Sequence, residues 1–294
     1  MNMKFLSSFL LSLIVCVSVN AQQQRSQGVE FFILGEYDLA KEALTKEIAT
    51  TPGEAYYLLG EIALVKGNID EAKANYEKGA KADSNSPYPA IGLSKLAYKA
   101  DPKGEDKNLE NIVKKHKKEF FPILEVARAY VYNDKDIKAE RIVEEAYKED
   151  KKSPWVYILR GDLALLKDKV GEAGGQYDQA MNFDPSNALA YIKSGKLYEH
   201  TNKEFTLNMY KKALEARPDY AIIYKYLGDI NFNSLKYEDA ITAYKKFFEN
   251  KTYTIDDLKN YAASLYFSAN YDNAKTLISE GLGKDPNNFV LNRL

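Results

Sequence analysis

Three observations predict an all-α fold, a superhelix of stacked helix-turn-helix units. Small residues recur at one interval: Ala127, Gly161, Gly195, Gly228 and Ala262 are evenly spaced, at the period of about 34 residues typical of one class of helical repeat. A second ladder, Ala139, Ala173, Leu207, Ala240 and Ala274, keeps the same spacings. Around these ladders, apolar residues recur every three or four positions. Tyr224, Leu227 and Gly228 form one such set, and Ala240, Tyr244, Phe247 and Phe248 the next. This is the stripe of a helix with one buried face. A period sustained over the chain denotes a repeat array in which each unit covers the apolar face of its neighbour.

The elements follow in order. Lys4 precedes an apolar stretch, residues 5–19, interrupted only by serines. Val19 and Ala21 then stand at the −3 and −1 positions of a cleavage site, so residues 1–21 read as a signal peptide. The stretch is shorter than the roughly 20 apolar residues of a membrane span, and the mature chain, beginning near Gln22, is expected to hold no stable span. An exported protein follows, periplasmic or secreted and associated with the cell envelope. The only cysteine, Cys16, lies inside this segment. Val15 before it departs from the small residue of lipoprotein signals, so Cys16 reads as a small hydrophobe of the signal core. The mature chain then has no thiol, and disulfides contribute nothing to its stability.

Eight units are expected near residues 22–53, 54–86, 87–119, 120–153, 154–187, 188–220, 221–254 and 255–288. Polar turns separate the two helices of a unit, as at Gly67-Asn68 and Asn233-Ser234-Leu235-Lys236. The third unit departs from the period: the step from Ala72 to Leu109 is longer than the others, and that from Leu109 to Ala139 is shorter. Residues 99–108, charged and turn-rich, read as an inserted surface loop. The sharper alternative is a hinge between the N-terminal pair of units and the remainder. Residues 289–294 read as the start of a further repeat, with Phe289, Val290 and Leu291 apolar and no polar capping helix after them. An uncapped end exposes apolar surface, which points to a fragment of a longer array, or to association of this end with a partner or second copy.

The pattern resembles the tetratricopeptide repeat (TPR), a helix-turn-helix unit of about 34 residues with the signature W-x2-L-G-x2-Y, A-x3-F and P. The residues carrying the likeness are Tyr56 to Gly60 (YYLLG) with Ala72, Tyr76 and Gly79, and Tyr224 to Gly228 (YKYLG) with Ala240 and Tyr244. Tyr191, Gly195, Tyr198, Tyr210 and Pro218 add to it, as do Ala173, Tyr177, Ala180 and Pro185, and Ala40, Leu44 and Pro52. It covers essentially all of the mature chain. The resemblance implies a right-handed solenoid of about eight repeats that acts as a non-enzymatic interaction scaffold, its first helices lining a concave surface where a protein or peptide lies.

Composition narrows the partners. Formal net charge is −1, from 41 basic and 42 acidic side chains. No basic excess is present to displace counterions from a polyphosphate, so nucleic acid is not expected. His116 and His200 are the two histidines. His116 sits in Lys114-Lys115-His116-Lys117-Lys118, a solvated basic helix end favoured by the helix dipole, with a docking patch for an acidic partner as the alternative. No metal-ligand spacing, nucleophile–base pair or phosphate loop is present, and no enzyme activity, cofactor or metal is expected. Asn250-Lys251-Thr252 has the form of a glycosylation sequon, a motif common by chance. Gly174-Gly175 falls inside a second helix, where glycine costs stability.

Carried onto this register, the partner-binding groove comprises Tyr57, Leu96, Phe121, Arg128, Tyr132, Trp155, Asp162, Ile192, Lys225 and Phe232. Aromatic and Arg side chains dominate binding hot spots, and an apolar groove with a polar rim suits an amphipathic helix or an extended peptide. Arg128 and Asp162 are expected to set the ligand's orientation. The Lys and Asn clamp of chaperone-binding relatives is absent from the early first-helix positions Tyr57, Glu61, Pro89, Leu93, Leu124 and Arg128. The alternative function is a carbohydrate-binding component of an envelope uptake system, since 23 Tyr and 13 Phe supply rings that stack on sugar faces.

Overall fold

The computed structural model describes residues 25–249 and 253–294. The expected signal peptide, Cys16 and the sequon-like Asn250-Lys251-Thr252 lie outside the described residues. Those described form sixteen α-helices and no strand, an all-α superhelix of helix pairs as the spacing predicts. The chain divides into two compact units, one ending at Ser84 and the other beginning at Asn85.

The first unit contains α1 (Gln27–Ile33), α2 (Tyr37–Glu47), α3 (Pro52–Val65) and α4 (Ile69–Ala82). Each consecutive pair packs as a hairpin, and α2 packs on α3. Leu39, Ala40, Leu44, Tyr57 and Tyr76 form its buried interior. Gly35 and Gly67 turn the chain between paired helices with φ of 77° and 80°, a region that disfavours side chains with a Cβ.

The second unit contains α5 (Pro87–Ala97), α6 (Pro102–Lys115), α7 (Phe120–Tyr132), α8 (Asp136–Glu149), α9 (Pro154–Leu165) and α10 (Val170–Phe183). It continues with α11 (Ala188–Tyr198), α12 (Lys203–Ala216), α13 (Ala221–Phe232), α14 (Tyr237–Phe248), α15 (Ile255–Phe267) and α16 (Tyr271–Lys284). Pro52, Pro87, Pro102 and Pro154 each open a helix, where the missing N–H costs nothing. Asn187, Asn202 and Thr254 cap with their side chains, and Thr254 forms a reciprocal capping box with Asp257.

Three expectations need correction. Residues 99–108 are not an inserted loop, because α6 begins at Pro102. Asp101 accepts the Gly104 N–H at 3.0 Å, so Asp101-Pro102 is a helix start, and the charged residues after it are the solvated face of α6. The division between the compact units falls at Ser84/Asn85, upstream of that stretch.

The apparent irregularity there is one of register. Leu109 stands eighth in its helix and corresponds to Tyr76, the eighth residue of α4. In the same way the second ladder passes through Thr206 and not Leu207. Thr206 is fully buried and donates its Oγ1 hydrogen to the Gly195 carbonyl at 3.1 Å, whereas Leu207 is half-buried. A small hydroxyl residue fits where the two helices touch, provided it finds an acceptor.

Residues 289–294 do not open a further helix. Leu291–Arg293 make one 3-10 turn, and Leu291, fully buried, packs with Leu258 and Ala262 while Leu294 joins the cluster edge. Phe289 remains 70% exposed.

Candidate functional site

The paired helices meet through a repeated size match. In five pairs the eighth residue of the second helix faces a glycine of the first. Where that partner is Gly60, Gly161, Gly195 or Gly228, the facing residue is Tyr76, Tyr177, Tyr210 or Tyr244. A Cβ added at Gly195 would lie 2.6 Å from the Tyr210 ring, and at Gly228 2.5 Å from that of Tyr244. Gly28 faces Leu44 instead, and the equivalent register positions of the other pairs hold Ser94 with Leu109, Ala127 with Val143 and Ala262 with Ile278.

Three of these tyrosines also bond to a carboxylate one residue beyond the glycine. Tyr76 donates to Glu61 at 2.6 Å, Tyr177 to Asp162 at 2.7 Å and Tyr244 to Asp229 at 2.6 Å. Burial pushes the Tyr177 and Tyr244 hydroxyls well above their ordinary range, with the adjacent carboxylates adding to the rise. Asp229 is itself pushed up by burial, against hydrogen bonds from Tyr244 and Asn260 and the attraction of Lys225. These carboxylates are structural acceptors for the tyrosines.

That arrangement determines what the expected groove residues do. Tyr57 and Ile192 are fully buried and cannot meet a ligand. Ile91, Leu124 and Ile158, at the same register in the second unit as Ile192, are buried as well. Tyr57 stacks on Tyr76 with centroids 5.7 Å apart. Asp162, also buried, accepts Lys193 Nζ at 2.8 Å and lies 3.7 Å from Arg128, which pairs with Glu125 at 3.1 Å. Arg128 and Asp162 are thus brought together, but their charges already compensate within the chain. Lys225 lies 3.4 Å from the buried Asp257.

The remaining positions stay accessible. Phe121 and Trp155, second residues of α7 and α9, are half-buried and meet edge to face with centroids 4.9 Å apart. Leu96 is half-buried on α5, Tyr132 is 46% exposed at the end of α7, and Phe232 leans on Tyr237 at 5.9 Å. Sequence reasoning missed Tyr88. It is the second residue of α5 and half-buried. It stands one repeat before Phe121, as Phe121 stands one repeat before Trp155. Reading backward from Trp155 by the period would have found it.

Residues 26–87 match the family model of the tetratricopeptide repeat. Among solved structures, PilW, a widely conserved type IV pilus biogenesis factor, superposes with a TM-score of 0.53 at 18% identity, over 70% of this chain and 97% of that one. Together these support a TPR protein. PilF of Pseudomonas aeruginosa superposes with a TM-score of 0.49 at 14% identity, over 82% of this chain and 95% of its own. A TPR repeat-containing protein of Methanocaldococcus jannaschii is 27% identical over 217 residues, 73% of this chain. This chain spans about a third (34%) of the length of that curated relative. At these identities the structural likeness is one of fold.

Proposed function

We propose that this protein is a non-enzymatic protein–protein interaction scaffold, holding a peptide or protein segment against the first-helix wall of the second unit. The observation that carries the reading is the aromatic row at the second positions of α5, α7 and α9. Tyr88, Phe121 and Trp155 are half-buried, and the last two meet edge to face. Such rings keep one face anchored by the fold and offer the other to a ligand, the arrangement of binding hot spots. Arg128 and Asp162, on the same helices as Phe121 and Trp155, are already paired within the chain, with Glu125 and Lys193. The signal-like residues 1–21 support export and a site of action in the cell envelope. Association through the C-terminal segment is part of the same reading, resting on the exposed Phe289 and Val290.

Trp155 is the only tryptophan, so its emission reports directly on this wall. Titration with a partner captured from envelope extract is expected to shift that emission, and Phe121→Ala is expected to weaken binding by about tenfold. An unmoved emission on a saturable complex, with Phe121→Ala binding as tightly as the parent, would place the ligand elsewhere.

A further inference from the structure

Two clefts at the same register behave differently. One, of about 290 Å³, lies between α8, α9 and α10; the other, of about 380 Å³, lies between α12, α13 and α14. Both are formed by two successive second helices and the first helix between them, displaced by two repeats, so that Glu140 corresponds to Leu207 and Glu144 to Lys211. In the first, every charged rim residue has an opposite charge beside it: Lys167 with Glu140, Arg160 with Glu144, and Lys169 with Glu172 at 3.3 Å. Its surface is closed by its own ion pairs.

The second cleft lacks that closure. Leu207 replaces Glu140, Lys211 replaces Glu144 and Leu227 replaces Arg160. Lys236 keeps the place of Lys169, and Asp239 that of Glu172. Among the described residues, neither Lys211 nor Lys236 has an acidic group within 4 Å. Lys246 completes the rim and pairs outward with Glu249 at 3.2 Å. The result is an apolar floor under an excess of positive charge, in a volume within the roughly 300–1,000 Å³ of ligand pockets.

We propose that the α12–α13–α14 cleft docks an acidic, apolar peptide segment of a partner protein. A carboxylate of the segment meets Lys211 and Lys236, and a neighbouring apolar side chain lies over Leu207 and Leu227. Charge complementarity selects this occupant: the floor disfavours a bare anion, and the lysines disfavour a basic or neutral segment. The site is separate from the first-helix wall and does not depend on Trp155.

The test is fluorescence anisotropy with the mature chain and a labelled twelve-residue peptide alternating Glu with Leu and Phe, beside a control with Gln for Glu. The acidic peptide is expected to bind. Lys211→Glu with Lys236→Glu should weaken it about tenfold or more, as should the control's lost charge. Raising salt from about 50 to 300 mM should also weaken it. Lys169→Glu in the paired cleft and Trp155→Ala should leave it unchanged. Both lysines are exposed, so the reversals should keep the helical circular dichroism; Gln in their place provides a milder version. The proposal is overturned if the acidic peptide does not bind, if the Gln control binds as well, or if the lysine variants bind as the parent does. Capture of an oligothymidylate at these lysines in place of the peptide overturns it equally.

Discussion

Gly228 and Tyr244 show how little latitude the helix contact allows. The ring is held from two sides, by the backbone at Gly228 and by the Asp229 carboxylate on its hydroxyl. It cannot retreat from an added methyl without giving up a buried hydrogen bond. Gly228→Ala is expected to cost about 1–3 kcal/mol, read as a lower urea midpoint. Adding Tyr244→Val, which copies the Ala127 and Val143 pairing, should recover part of that loss, a coupling of about 1 kcal/mol in a double-mutant cycle. The same site has a defined pH dependence. Burial raises the Asp229 carboxyl, so the native state favours its protonated form. Its contribution is favourable below the ordinary carboxylate range and is lost as pH rises through the shifted value. Asp229→Asn should therefore melt higher than the parent at pH 7 and no higher at pH 4.

At the scale of the element, turns and caps carry the period more regularly than side-chain identity does. The second helices of the second unit start at Pro102, Asp136, Val170, Lys203, Tyr237 and Tyr271, one repeat apart throughout. Four turns between paired helices place a non-glycine residue at positive φ: Asp134, Asp168, Leu235 and Ala269. At Leu235 the side chain is 73% exposed and recovers little burial. The left-handed backbone costs an L-residue roughly 1–2 kcal/mol, while glycine loses about 0.5–1 kcal/mol in chain entropy. The strain relieved exceeds the entropy lost, so Leu235→Gly should stabilise by about 0.5 kcal/mol in urea unfolding. Asp101→Ala removes the cap of α6 and should cost about 1 kcal/mol, with faster amide exchange in the first turns after Pro102. That result would also distinguish a capped helix from the loop its charged composition suggests.

For the whole molecule, contacts run mainly between neighbours in the chain. Within the second unit each helix pair packs on the next, so stability is close to a sum of local contributions. Overpacking at Gly161 by Leu should speed amide exchange in α7 to α10 well before it does so in α13 to α16. Uniform acceleration would instead indicate a single cooperative block. The two proposed surfaces belong to this scale as well, since the wall draws on α5, α7 and α9 and the cleft on α12, α13 and α14, and none of these helices is a site alone.

The helix pairs, their order and the tight Gly–Tyr contacts are legible in the sequence, because a repeated contact must repeat its residues. The third unit misleads because Leu109 falls near the ladder of Ala72 and Ala139, although it stands eighth in its helix and they stand fourth. The candidate wall is half legible. Spacing locates Phe121 and Trp155, but it cannot tell that Tyr57 and Ile192 are buried. Nor can it tell that Arg128 and Asp162 compensate each other. Periodicity is a local property, so the faces that pack and the points where helices begin can be read along the chain. Exposure and charge pairing depend on side chains a whole repeat away, as in Lys193 with Asp162. Which groups remain for a partner is therefore settled only once the helices are stacked in three dimensions.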